Sequence, residues 1–180
     1  MPRIPQSIID EMVAHAREDL PDECCGMVHG RWYNPGVRRA WARRDARFDV
    51  HGHVHAPAYL ADAGAAVREH LPVAVHRIKN DAASPYRYEM NPLQMMRLER
   101  ARDATGETLF AIYHSHVGSP AHPSPTDVRM AFFPPGEVEQ EPMFPGTFYI
   151  LVSLAQDPPD VRAYHIRRGG VIEEETIEVV

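Results

Sequence analysis

Apolar residues recur every three or four positions at Ile8, Ile9, Met12, Val13, Ala16 and Leu20, with Glu11, His15 and Glu18 on the other side. That period predicts an amphipathic helix over 5–20, ended by Pro21. Residues 22–30 form a short loop entering a strand closed by Gly30, and a second strand is expected over 37–46 after the Asn34-Pro35-Gly36 turn. A helix is expected over 58–71 after Pro57, then a strand over 72–78. Asn91 as cap and Pro92 as first helical residue open another helix, carrying Leu93, Met96, Leu98, Ala101 and Ala104 and ended by Gly106. The run 108–113 is a strand, followed by a loop and a short helix to 133. A strand over 147–153 is apolar enough to be buried on both faces. A hairpin of 161–167 and 171–179 turns at Gly169-Gly170. This order predicts an α+β domain whose central sheet is mostly antiparallel.

The length of 180 residues fits one domain, and 44% apolar with 24% charged residues describes an ordinary globular chain. A net charge of −6 excludes sequence-independent nucleic-acid binding, which needs a basic face. The arginines at 38, 39, 43, 44 and 47 are expected on the solvated side of a strand. No run is long enough to span a bilayer, and the acids of the first helix leave no apolar core for a signal peptide. Cys24 and Cys25 are adjacent, a spacing of neither a zinc ribbon nor a redox pair, so they are expected as reduced thiols in the cytoplasm.

Candidate chemistry concentrates in 111–130. His114, His116, Ser124 and Asp127 follow the spacing His-x-His-x7-Ser-x2-Asp. Residues two apart on a strand point to one side, so both imidazoles are presented together. Ser124 reads as an N-cap, Pro125 as the first helical residue and Asp127 as a first-turn carboxylate able to point back at the strand end. Two His and one carboxylate form the ligand set of a catalytic zinc site. Hydrolysis there also needs a general base. Among many glutamates Glu23 is the best candidate, because it sits at a loop-to-strand junction beside Cys25-Gly26.

Other residues receive the plainer reading. His51, His53 and His55 are expected as a solvated loop, lacking a carboxylate or cysteine in register. Cys25 is a small packing residue, and Met90, Met95 and Met96 are helix core or the surface of a homodimer. His122 lies in the candidate loop, and 134–146, with four prolines and three glutamates, is expected as a flap or rim beside the site. A zinc deaminase needs His-x-Glu with Pro-Cys-x-x-Cys, and a zincin needs His-Glu-x-x-His; neither occurs.

Glu23-x-Cys25-Gly26-x-x-x-Gly30, followed far downstream by His114-Ser115-His116-x7-Ser124-x2-Asp127, resembles the JAMM (MPN-plus, JAB-type) zinc metallopeptidases. The resemblance implies a JAB1/MPN-like, cytidine-deaminase-like fold with a curved mixed sheet flanked by helices. It also implies a single domain over 1–180 with an insertion at about 32–71. One Zn2+ per chain is implied, held by His114, His116 and Asp127. Glu23 is implied as the base acting on a water, and Ser124 as the donor to the oxyanion. Ser115 points away from its neighbours and packs. Through Pro21-Asp22-Glu23-x-Cys25-Gly26 and Tyr113-His114-Ser115-His116 the chain is most similar to small bacterial members. Those remove an amino acid such as cysteine from the C-terminal Gly-Gly of a ubiquitin-like sulfur carrier, and the implied partner is that carrier's tail. A non-catalytic binding module on the same fold, or a small-molecule zinc amidase, is the alternative.

Overall fold

The computed structural model describes residues 1–33, 47–48, 54–55 and 69–180. Along them run β1 (Arg3–Ile4), α1 (Gln6–Glu18), β2 (Cys25–Tyr33), β3 (Arg47–Phe48), β4 (Val54–His55) and β5 (Glu69–Ile78). Then come α2 (Pro92–Thr105), β6 (Thr108–His116), α3 (Pro125–Met130), β7 (Phe148–Ser153), β8 (Asp160–Arg167), β9 (Val171–Glu175) and β10 (Glu178–Val179). The chain divides into two compact units, Met1–Arg31 with Pro72–Val180, and Trp32–Leu71. The smaller unit holds the antiparallel β3–β4 pair and a Trp32 ring stacked on His70 at 4.5 Å. The strand and turn expected over 34–46, the arginine cluster, and His51 and His53 lie outside the described residues.

One six-stranded sheet, ordered β5-β2-β6-β7-β8-β9, carries the larger unit. It is mixed: β6 and β7 are parallel, whereas β2–β6, β7–β8 and β8–β9 are antiparallel. Together with the flanking helices this is the expected α+β architecture.

The central strands are buried on both faces, and their alternation decides which side chains meet. Ala111, Tyr113, Ile150 and Val152 join α1 residues Ile8, Met12 and Ala16 in one core. Ile112, Tyr149 and Leu151 join Ala121, Ala131 and Phe132 in another on the opposite face. Each fully buried aliphatic side chain contributes about 1.5–3 kcal/mol. By the same alternation His114 and His116 belong to the face of Ile112, the side on which α3 lies.

α1 buries Ile8, Met12 and Ala16 of its predicted stripe, but His15, expected on the polar side, is buried with them, and Leu20 lies beyond the helix and is exposed. His15 Nδ1 meets the Tyr113 hydroxyl at 2.7 Å beneath it. Gly26 is required here, because a Cβ would run into the Tyr113 ring and the His76 carbonyl.

Several expectations are corrected. The last three residues of the helix expected over 58–71 belong to β5, and the rest lies outside the described residues. The arm expected over 171–179 is two strands: β9 pairs with β8, whereas β10 pairs in parallel with β1. α3 ends at Met130, not 133. α2 is capped by Asn91 and Gly106 as expected, but Leu93 and Met96 are exposed, so those two do not form a core stripe. The loop after α3 is anchored by main-chain hydrogen bonds. Met143 N–H bonds the Ala131 carbonyl and Gly169 N–H the Val138 carbonyl, which fastens it towards the β8–β9 turn. Among the described residues no helix is long and apolar enough to cross a membrane.

Candidate metal centre and active site

β6 ends on His114 and His116, both buried, with their Nε2 atoms 3.2 Å apart. Asp127, in the first turn of α3, places Oδ1 3.5 Å from His114 Nε2 and Oδ2 3.5 Å from His116 Nε2. A tetrahedral ion bound at about 2.0–2.1 Å has ligands roughly 3.3–3.4 Å apart, so these separations fit one divalent metal. His116 donates through Nδ1 to the Pro120 carbonyl at 2.7 Å. A carbonyl only accepts, so that bond fixes the tautomer and leaves Nε2 as the ligating nitrogen.

The carboxylate is held by a capping box. Ser124 Oγ accepts from Asp127 N–H at 3.2 Å, and Asp127 Oδ2 accepts from Ser124 N–H at 2.7 Å. Burial works to raise the Asp127 carboxyl, yet hydrogen bonds from His114, His116 and Ser124 hold it well below the usual range. Burial pushes His114 down against Asp127. For His116 burial is opposed by Asp127 and Pro120, and the net shift is upward.

Glu23 reaches this face through strand register. Cys25 pairs with His114, and Cys24 exchanges hydrogen bonds with Ser115: its N–H meets Ser115 Oγ at 2.8 Å, and its carbonyl accepts from Ser115 N–H at 3.0 Å. Continuing that antiparallel ladder sets Glu23 opposite His116 and on the same side. Its N–H donates to the Ser84 carbonyl at 2.9 Å, and its carbonyl accepts from Asn80 Nδ2 at 2.9 Å. Burial pushes its carboxyl up to about 7, with His116 pulling down and Asp127 adding to the rise. Such a carboxyl is poised to take and return a proton near neutrality.

Four side chains have roles that the sequence reading did not assign. Ser115, expected only to pack, is the polar link between β6 and the Glu23 segment. Asn80 uses both ends of its amide: Nδ2 serves the carbonyls of Glu23 and Arg87, and Oδ1 accepts from Ala82 and Glu89 N–H. Tyr88 stacks on His114 at 4.3 Å between ring centroids. Tyr164 donates its hydroxyl to the Ala121 carbonyl at 2.5 Å, pinning the loop between the ligands. Only Asn80 left a signal, an Asx-type residue opening a turn. Cys25 is buried, and burial pushes its thiol far up, as a packing residue requires. His122 is exposed at the loop, edge-on to Tyr164.

The chain is 29% identical over 169 residues to the "CysO-cysteine peptidase" of Mycobacterium tuberculosis, covering 93% of this chain and 84% of that one. It is 43% identical over 44 residues to the "Probable TtuB-protein conjugate cleaving protease" of Thermus thermophilus, covering 24% of this chain and 30% of the other. Among solved structures, protein DSY2949 from Desulfitobacterium hafniense superposes with a TM-score of 0.67 at 24% identity, covering 100% of this chain and 93% of that one. A protein from Salinibacter ruber gives 0.56 at 22% identity, covering 100% and 92%. These two likenesses concern the fold. Residues 5–167 match the family described as prokaryotic homologs of the JAB domain, and the chain belongs to that family.

Proposed function

We propose that this chain is a zinc-dependent peptidase that hydrolyses the amide bond after the C-terminal glycine of a ubiquitin-like sulfur carrier, releasing an amino acid such as cysteine. The observation that carries this reading is the convergence of His114, His116 and Asp127 on one point, with Glu23 in register beside it. The family and the peptidase names of the relatives support a hydrolase acting on sulfur-carrier conjugates. The compact unit Trp32–Leu71 supports reading 32–71 as an insertion in one domain. Two buried free thiols suit a reducing cytoplasm.

His114, His116 and Asp127 hold Zn2+, which when bound supplies Lewis acidity to the scissile carbonyl and acidifies water. Glu23 takes the proton of the attacking water on a carboxylate oxygen and delivers it to the nitrogen of the leaving amine. Ser124 Oγ already accepts from Asp127 N–H, which leaves its own hydrogen to donate to the tetrahedral oxyanion. An extended Gly-Gly tail has no side chains to obstruct a close approach, and main-chain pairing as an added strand on a sheet edge would hold it.

The test is incubation of the zinc-loaded protein with carriers bearing C-terminal Gly-Gly-cysteine or Gly-Gly-lysine adducts, followed by intact mass. The wild type is expected to shed the cysteine adduct and Glu23→Ala to leave it. Loss by both proteins alike would remove the assigned base. Retention of both adducts by the wild type would remove the substrate.

A further inference from the structure

A second group of imidazoles and carboxylate lies at the other end of the β2–β6 pair. His29 of β2, His76 of β5 and Glu107, one residue before β6, bring one ligating atom each to within 4.8 Å of one another. The His29 and His76 rings are 4.4 Å apart between centroids and tilted by 58°. His29 is 2% exposed, and its Nδ1 stands 3.7 Å from Glu107 Oε2, beyond hydrogen-bond distance.

The hydrogen bonding is incomplete in one telling respect. Nε2 of His29 and Nε2 of His76 are both buried, with no hydrogen-bond partner among the described residues. Buried ring nitrogens are ordinarily satisfied, and the His76 Nε2 in particular is left free to ligate. Glu107 is already oriented: its Oε1 accepts from Arg31 Nη2 at 2.9 Å, which leaves Oε2 turned towards Nδ1 of His29, the nitrogen placed to share an ion with it. A ligating carboxylate steadied by an outer hydrogen bond is the usual arrangement at metal sites. The β2–β6 register shifts between Val28 and His29, where Phe110 of β6 is left as the extra residue, so the ladder is irregular beside this cluster.

We propose that His29, His76 and Glu107 form a second metal site, taking a divalent late-transition ion such as Zn2+ through two imidazole nitrogens and one carboxylate oxygen. Two nitrogen donors select Zn2+ and its neighbours over Mg2+ or Ca2+, which require oxygen cages. The site joins β5, β2 and the entrance to β6, three adjacent strands. It has no buried acid like Glu23 and no free hydroxyl beside it among its described contacts, so its ion is structural. Binding only to the folded chain, that ion stabilises the sheet by mass action. This inference is independent of the peptidase reading.

The experiment counts zinc by elemental analysis after metal-free protein is dialysed against micromolar free Zn2+. His116→Ala removes the first site, and circular dichroism verifies folding. Wild type is expected to retain two ions per chain and His116→Ala one. Adding His29→Ala or His76→Gln to His116→Ala should leave none. His76 is only half buried, so its variant reads the site even if His29→Ala does not fold. In His116→Ala, Co2+ should give d–d bands of a nitrogen and oxygen environment without thiolate charge transfer. A wild type that retains a single zinc, lost in His116→Ala, overturns the proposal. So does a second zinc that survives His76→Gln in folded protein.

Discussion

The two ends of the β2–β6 pair carry the same donors, two imidazoles and a carboxylate, in different settings. At the His116 end the carboxylate comes from a helix cap, a buried acid stands in register opposite, and a hydroxyl with a spare hydrogen borders the ligands. At the His29 end the carboxylate is tied to Arg31, and two ring nitrogens are sealed from water. Donor identity therefore sets which ion binds, whereas the neighbours set what the ion can do. On the proposed readings, a base and an oxyanion donor make the first cluster a hydrolytic centre, and without them the second cluster only fastens strands.

The sharpest way to break this contrast is to make one chemical change at both ends. Glu23→Gln is expected to lower turnover of a Gly-Gly-cysteine adduct by about 10²–10⁴-fold, the usual contribution of a general base, with zinc content unchanged. Glu107→Gln is expected to lose zinc from the second cluster and keep turnover at metal-saturated first sites. Intact mass reports the adduct, and elemental analysis the ion. Equal loss of turnover in both variants would show that the two ends are not functionally separate.

Ser124→Ala comes next. Removing an oxyanion donor costs about 10²–10³ in kcat. The same substitution deletes half of the capping box, so denaturation should report a loss of about 0.5–2 kcal/mol. A stability loss with kcat unchanged would reduce Ser124 to a cap.

The cluster of His114, His116 and Asp127 was legible because its candidate donors are written locally. His114 and His116 need only strand alternation, and Ser124 with Asp127 only a capping signal, and both patterns survive without tertiary knowledge. Glu23 was favoured among many acids by its loop-to-strand junction and by the JAB resemblance; the Cys25–His114 register is the structural feature that sets it towards His116, and no sequence pattern displays it. His29, His76 and Glu107 were invisible, because no local period links three residues on separate segments; only the strand order β5-β2-β6 assembles them. The parallel pairing of β10 with β1 is hidden for the same reason. The helix expected to end at 71 failed where Glu69–Leu71 join the sheet, tertiary pairing overriding a helical pattern. α2 was located by its caps, which are local, whereas its burial depends on what lies against it.

Ser115→Ala probes the link between register and chemistry with a smaller effect. It leaves the buried Cys24 N–H without its acceptor, at a cost of about 1–3 kcal/mol. Zinc should be retained and kcat should fall with KM little changed, because Glu23 loses its neighbour's anchor. Thermal denaturation and kinetics check both, and Ser115→Thr should restore kcat. A fall in stability with kcat intact would show that Asn80 and Ser84 hold Glu23 unaided.

The smallest expected effect is a difference in slope, and it sets the two ends against each other in metal-free protein. Burial raises the Glu23 carboxyl from 4.5 to about 7, so the folded chain binds a proton there that the unfolded chain has released. Its stabilising contribution is complete below about 4.5 and is lost as pH rises through about 7. Burial lowers His29 from 6.5 to about 4, helped by His76 and opposed by Glu107. Its contribution is therefore present above 6.5 and is lost as pH falls through about 4. Between pH 5 and 6.5 the two tilt stability in opposite directions. Urea denaturation in the presence of a chelator should show Glu23→Gln losing less stability than wild type as pH rises across that window. His29→Gln should gain less. Because Glu23 interacts with His116 and His29 with His76, each difference from wild type reports the residue together with its charged neighbour. Parallel curves for wild type and Glu23→Gln would mean that the Glu23 carboxyl is hydrated in the folded chain, which is incompatible with its buried place opposite His116.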